Sequence, residues 1–220
     1  MAKMLWDQVS EKLYETGVEQ CALYPQEADG TYPLGVPWNG LIGVTDSPSG
    51  AEPSPLYANN KKYVELMSAE EWGGSIEAYT YPPEFGECNG QKEIIPGMTI
   101  GQQNRKGFGL VYKTLIGNDT EGTKHGYKLH IRYGCKAAPS ERSNQTVSDS
   151  PEAMTMSWEV SSTPVEVEGF DPTATFDFDS TAIDAGKLAA LEAILYGSAE
   201  EEPRLPLPAE LVQIMSGDAA

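Results

Sequence analysis

Tyr127-Lys128-Leu129-His130-Ile131-Arg132-Tyr133 alternates apolar and basic residues without a break. A period of two over seven residues is the signature of a strand with one buried face. Downstream, Met154, Met156, Trp158 and Val160 alternate with Thr155, Ser157, Glu159 and Ser161. Ala174, Phe176 and Phe178 alternate with Thr175, Asp177 and Asp179, and Ile76, Ala78 and Thr80 with Glu77, Tyr79 and Tyr81. Further strands are expected over 20–24, 41–45, 63–67 and 108–116. The composition agrees: Gly 22, Pro 16 and Tyr 11 in 220 residues favour turns and strands over a helical bundle. The fold class is therefore mostly β, a β-sandwich or barrel, with a core supported by 40% hydrophobic residues.

Between the strands the polar, Gly-rich stretch 117–126 is expected to be a hairpin loop longer than a tight turn. Residues 46–60 contain Pro48, Gly50, Pro53 and Pro55. This stretch is expected not to pair continuously in a sheet and to project as an extended loop with Leu56-Tyr57 as an apolar tip. One flanking helix is signalled over 184–196: Asp184 as N-cap, the stripe Leu188, Leu191, Ile194 and Leu195, and Gly197 as stop. Around Leu5, Val9 and Leu13 a short helix and a strand are both compatible with the pattern. The chain divides into one domain over 1–199 and an acidic, Pro-rich arm over 200–220, with Pro203, Pro206 and Pro208 extended and one helical turn at its end.

The net charge of -18 disfavours wrapping a phosphate backbone. It is uneven, because residues 92–142 carry nine bases and four acids while the remainder carries -23. A basic middle between acidic flanks suits contact between copies. Pairing within the chain explains it too, and is the simpler reading. Cys21, Cys88 and Cys135 are odd in number, widely spaced and free of a CxxC pattern, so buried free thiols are expected. No apolar run reaches membrane-spanning length and no signal-peptide core opens the chain, so the expectation is a cytosolic, membrane-free start.

Enzyme signals fail in turn. His125 falls in the predicted loop and His130 shares a strand face with Lys128 and Arg132, so both are expected on a solvated surface. There is no Gly-x-Ser-x-Gly elbow, dinucleotide fingerprint or phosphate loop. Asp119-Thr120-Glu121-Gly122 lacks the other positions of a calcium loop. No nucleophile–base–orienter set is visible, and neither a metal nor a cofactor is expected. Asp177 and Asp179 leave room for an acid-pair hydrolase. Trp72, Tyr79 and Tyr81 leave room for a carbohydrate- or cell-surface-binding module, although such aromatics more often serve a core.

Two long stretches carry a resemblance. The first runs Trp38-Asn39-Gly40-Leu41 through Asp46-Ser47-Pro48-Ser49-Gly50-Ala51-Glu52-Pro53 and Leu56-Tyr57-Ala58-Asn59-Asn60 to Ile76-Glu77-Ala78-Tyr79-Thr80-Tyr81-Pro82. The second runs Thr114-Leu115-Ile116-Gly117-Asn118-Asp119-Thr120-Glu121-Gly122 through Tyr133-Gly134-Cys135 and Asp149-Ser150-Pro151-Glu152-Ala153 to Ser162-Thr163-Pro164-Val165. Together they resemble the major tail protein, or tail tube protein, of long-tailed non-contractile bacteriophages, over nearly the whole chain. The resemblance implies a non-enzymatic virion subunit, assembled in the host bacterial cytoplasm. Its copies would form hexameric rings stacked into a tube that conducts phage DNA without binding it specifically. The tape-measure protein, the tail terminator and the distal tail or baseplate proteins would be partners. Loops and arms would link the rings, which nominates Asp46, Pro48, Glu52, Pro55, Leu56, Tyr57, Asn59, Leu205, Leu207 and Leu211. Lys128 and Arg132 of the basic middle complete the candidate contacts.

Overall fold

The computed structural model describes residues 3–147, 153–199 and 201–217; the quoted Asp149, Ser150, Pro151 and Glu152 lie outside them. The strands are β1 (Tyr14–Pro25), β2 (Val36–Pro37), β3 (Leu41–Asp46), β4 (Ser49–Gly50), β5 (Pro53–Ala58), β6 (Lys61–Met67), β7 (Glu70–Glu71) and β8 (Gly73–Ala78). They continue with β9 (Lys92–Ile95), β10 (Met98–Ile100), β11 (Phe108–Asn118), β12 (Gly122–Ala137), β13 (Met156–Ser162), β14 (Val165–Val167), β15 (Phe170–Thr173) and β16 (Thr175–Asp179). Three helices are present among the described residues: α1 (Phe85–Cys88), α2 (Ala185–Tyr196) and α3 (Pro208–Ser216). The main sheet is antiparallel in the order β2-β1-β11-β12-β13-β8-β3, with β16 branching from β12. It curls until β3 lies alongside β1 without pairing to it, which encloses an interior. The chain is mostly β, as its alternation predicts.

β12 makes this shape possible, because its two halves belong to different layers. Residues 128–132 pair with β16, and 135–137 pair with β13. Between them Gly134 takes φ 61°, and the register against β11 slips by one residue. Such a bulge turns the strand and exchanges its faces. Leu129, Ile131 and Tyr133 point outward to the helices, whereas Cys135 and Ala137 point into the barrel.

The interior is built around aromatic rings, with Phe85 4.6 Å from Trp38, 5.2 Å from Trp158 and 5.6 Å from Phe108. The three cysteines are buried, and no two of them are bridged. On the outside, Leu188, Leu191 and Leu195 of α2 cover Leu129, Ile131 and Tyr133. Each such fully buried aliphatic side chain contributes about 1.5–3 kcal/mol. The Asp184 carboxylate caps α2 by accepting from the amides of Gly186 (3.0 Å) and Lys187 (3.1 Å), and Gly197 ends it at φ 81°. The strand readings hold at 20–24, 41–45, 63–67 and 108–116, all of which fall inside observed strands.

Four expectations need correction. The C-terminal arm is docked on its own body and does not extend away from it. The Leu205 amide donates to the Tyr32 carbonyl (3.1 Å), the Tyr133 hydroxyl to the Pro206 carbonyl (2.6 Å), and Leu205 and Leu211 are buried in the outer core. Its end is a nine-residue helix, longer than one turn, started by Pro208 and closed by the Lys187 ammonium on the Met215 and Ser216 carbonyls. The stretch 117–126 is no long loop, because β11 and β12 continue to Asn118 and Gly122. The Asn118 side chain accepts from the Thr120 and Glu121 amides and so closes a tight turn. Residues 5–13 form neither helix nor strand, and Leu5, Val9 and Leu13 are exposed. The fourth correction is the stretch 46–60.

Candidate assembly surface

Residues 46–60 are not an unpaired loop. β4 pairs with β7 and β5 with β6, so that 49–71 form a two-stranded arm leaving the barrel between β3 and β8. The prolines are tolerated because Pro53 and Pro55 are two residues apart. Both then turn their missing donor to the same, open edge of a two-stranded ribbon. Asn59 (φ 50°) and Asn60 (φ 61°) make the two-residue turn with both central residues left-handed, the geometry that matches strand twist. Every residue of β5 and β6 is exposed, including Tyr57 at 70%, Tyr63 at 78% and Met67 at 68%. Leu56, Val64 and Leu66 add to this apolar ribbon. A contiguous exposed apolar surface of this kind marks a contact site.

The base of the arm is fastened to the barrel by a polar network. Asp46, where β3 ends, accepts from the Trp72 indole (2.9 Å) and from Arg132 (3.3 Å). Arg132 also donates to Asp177 (2.7 Å), and its guanidinium lies 5.6 Å from the rings of both Trp72 and Tyr112. The Asp177 carboxylate is 2.7 Å from His130 Nδ1, the other ring nitrogen is 2.8 Å from the Thr114 hydroxyl, and the imidazole stacks on Tyr112 at 4.7 Å. His130 and Arg132 are thus buried and not solvated. The branch strand β16 and the arm base cover the face that alternation alone assigns to water.

Thr114, His130 and Asp177 also fall in the order nucleophile, base, orienter, a set the sequence did not reveal. Thr114 lies mid-strand in β11, opposite Lys128 of β12. The line joins side chains of β11, β12 and β16.

Partial burial alone would raise the Asp177 pKa, but the His130 hydrogen bond and the Arg132 charge outweigh it and bring it down to about 2. A carboxyl lowered on folding stabilises the fold above its unfolded pKa, and that contribution fades as pH falls from about 4 to about 2. Half of the side chain is exposed, so screening reduces its worth to about 1 kcal/mol. Melting wild type and Asp177→Asn side by side is expected to show a gap at pH 5 that narrows by pH 2.

Of the candidate residues, Glu52, Pro55, Leu56, Tyr57 and Asn59 are brought together on the arm, with Asp46 and Pro48 at its root. Leu207 is exposed, whereas Leu205 and Leu211 are core residues. Arg132 is enclosed, and Lys128 pairs with Glu15. With Lys106–Glu27 and Lys113–Glu192, these pairs engage the basic middle with the chain's own acidic flanks. That favours the intramolecular reading of the charge asymmetry.

Sequence reasoning missed Tyr63, Val64, Leu66 and Met67 as arm surface. The signal was available: a strand apolar on both faces beside a Pro-rich partner. It also missed exposed Ile94, Ile95 and Met98 on the β9–β10 hairpin and Phe170 on β14–β15. The proposed aromatic platform is not assembled, since Trp72 is buried, Tyr81 packs on Phe85 and Trp158, and only Tyr79 is exposed.

The opposite surface of the same barrel wall is polar. Glu77 pairs across from Ser157, and Ser75 lies between Glu159 and Thr45, on the face away from Trp158 and Ile76. Lys136 and Ser161 continue it on β12 and β13. Among the described residues no cluster of three His, Cys, Asp or Glu side chains could hold a metal ion, and no helix is long and apolar enough to cross a membrane. No protein-family model matches the chain, and no curated protein matches it.

Proposed function

We propose that this chain is a structural subunit of a phage virion tail, which associates with copies of itself into stacked hexameric rings and forms the tube through which DNA leaves. The exposed apolar arm 49–71 carries the reading: it has no core to join in its own chain, and burial against a second copy removes its cost. The polar face formed by β12, β13, β8 and β3 suits a channel wall, being rich in hydroxyls and carrying Glu77 and Glu159. A duplex slides past such a surface without being held. Six copies giving four strands each would close a barrel about 45 Å across, from the inter-strand spacing and usual tilt, which admits a DNA duplex. In this reading the tape-measure protein, tail terminator and distal tail or baseplate proteins are partners, and the site of action is the virion tail after assembly in the host cytoplasm.

Electron microscopy and sedimentation of the purified full chain test it. Rings or filaments that grow with concentration are expected, and a strictly monomeric species at high concentration, with or without the tape-measure partner, would overturn the reading. Replacing residues 51–69 with Asn-Gly, so that β4 and β7 join directly, is expected to shift the melting temperature by less than about 4 °C, the effect of roughly 1 kcal/mol, because nothing buried is removed. The same variant is expected to lose assembly. Unchanged tubes would remove the arm from the argument.

A further inference from the structure

An apolar groove of about 450 Å³ opens between the edge of β1, the short β2 and the end of α2. Cys21, Ala22, Val36, Pro37, Leu195 and Tyr196 line it. It exists because β2 covers β1 only at Ala22 and Leu23, while the left-handed residues Gly17 and Gln20 bend the rest of the β1 edge. Its size is that of cavities that enclose side chains or small ligands. Acidic residues neighbour its lining residues. Glu201 and Glu202 precede the lining residue Pro203, and Glu19 lies close to Tyr196, whose phenol is raised first by burial and then by Glu192, Cys21, Tyr127 and Glu19.

We propose that this groove receives the tip of the β5–β6 arm from a second copy of the chain, an inference that rests on the self-assembly reading above. The tip carries the complementary chemistry. Tyr57 and Tyr63 are its most exposed rings, and Lys61 and Lys62 sit beside the Asn59-Asn60 turn. Aromatic side chains supply large contact area at little entropic cost, and an acidic rim around an apolar floor fits two lysines beside two tyrosines. In the single chain the tyrosines of the tip are solvated and the groove is open, while Lys62 pairs with Glu65 of its own strand and Lys61 is exposed. Another exposed apolar segment, Met4-Leu5-Trp6, lies in a stretch with Lys3 and Lys12 offset by Asp7 and Glu11, so it lacks the net positive charge of the tip. Because tip and groove are different surfaces of one molecule, the contact is heterologous and passes from copy to copy, around a ring or along an axis.

The test mixes two full-length single variants, Pro37→Cys and Tyr57→Cys, under oxidising conditions at assembling concentration. A disulfide between the two variants, located by peptide mass spectrometry, is expected. In parallel, Lys61→Glu with Lys62→Glu is expected to raise the concentration needed for assembly about tenfold, from two rim charges of roughly 0.2–1 kcal/mol each. Adding Glu19→Lys and Glu202→Lys on the same chain is expected to restore it. Assembly at unchanged concentration after the charge reversal overturns the proposal and leaves the tube reading standing. So does cross-linking of the Pro37→Cys thiol to Trp6→Cys in place of Tyr57→Cys. If wild type forms no oligomer at all, the tube reading and this contact fall together.

Discussion

Gly134→Ala is expected to lower the melting temperature by about 10–15 °C, the effect of a destabilisation of roughly 4–5 kcal/mol in a chain of this length. Two costs combine. The backbone at φ 61° disfavours any residue with a Cβ by about 1–2 kcal/mol. That Cβ would also lie 2.2 Å from the Thr163 carbonyl oxygen, a backbone atom that cannot rotate aside. Gly122→Ala separates the two terms, because Gly122 has nearly the same φ of 60° and nothing within 4 Å of its would-be Cβ. It is expected to cost only the conformational part. Equal melting temperatures for the two variants would show that β12 can accommodate the change and that the face exchange is not fixed by this glycine.

The second large effect is expected at Arg132. Arg132→Met removes a guanidinium that bridges Asp46 and Asp177 inside a cage of Trp72 and Tyr112. Breaking such a bridge leaves two carboxylates facing one another across an apolar side chain, and costs about 2–3 kcal/mol because both acids can partly rehydrate. Arg132→Lys is not expected to rescue it, as an ammonium cannot span both acids with a planar fork. Hydrogen exchange gives the local readout: faster exchange over 47–72, where the arm roots at Asp46 and Trp72, with little change in the α2-covered core. Uniform acceleration across the chain would show that Arg132 supports the whole barrel and not the arm root.

Local rules were enough for the helix and for most strands. Asp184, the leucine stripe and Gly197 bound α2 to the residue, because capping acts over a few positions and needs no partner. Alternation in Met156, Trp158 and Val160 marked the barrel interior for the same reason. The errors came where a distant segment decides the environment. His130 and Arg132 looked solvated because β16, more than forty residues on, supplies the cover. Leu205 and Leu211 looked like a free arm because their partners, Tyr32 and Tyr133, are remote in sequence. Pro53 and Pro55 looked incompatible with pairing because the rule against proline holds for strands with neighbours on both sides. The candidate surface was half legible: its Pro-rich strand stood out by composition, while its partner β6 read as a strand with nothing local to mark it as exposed.

The division of β12 between two layers bears on how the molecule comes apart. One continuous length of backbone serves as lining for the aromatic interior and as backing for the helices. Loosening either half must therefore disturb the hydrogen bonds of the other, so the two cores are mechanically yoked and not hinged. Pulling at the projecting ribbon is then expected to open both layers in one step.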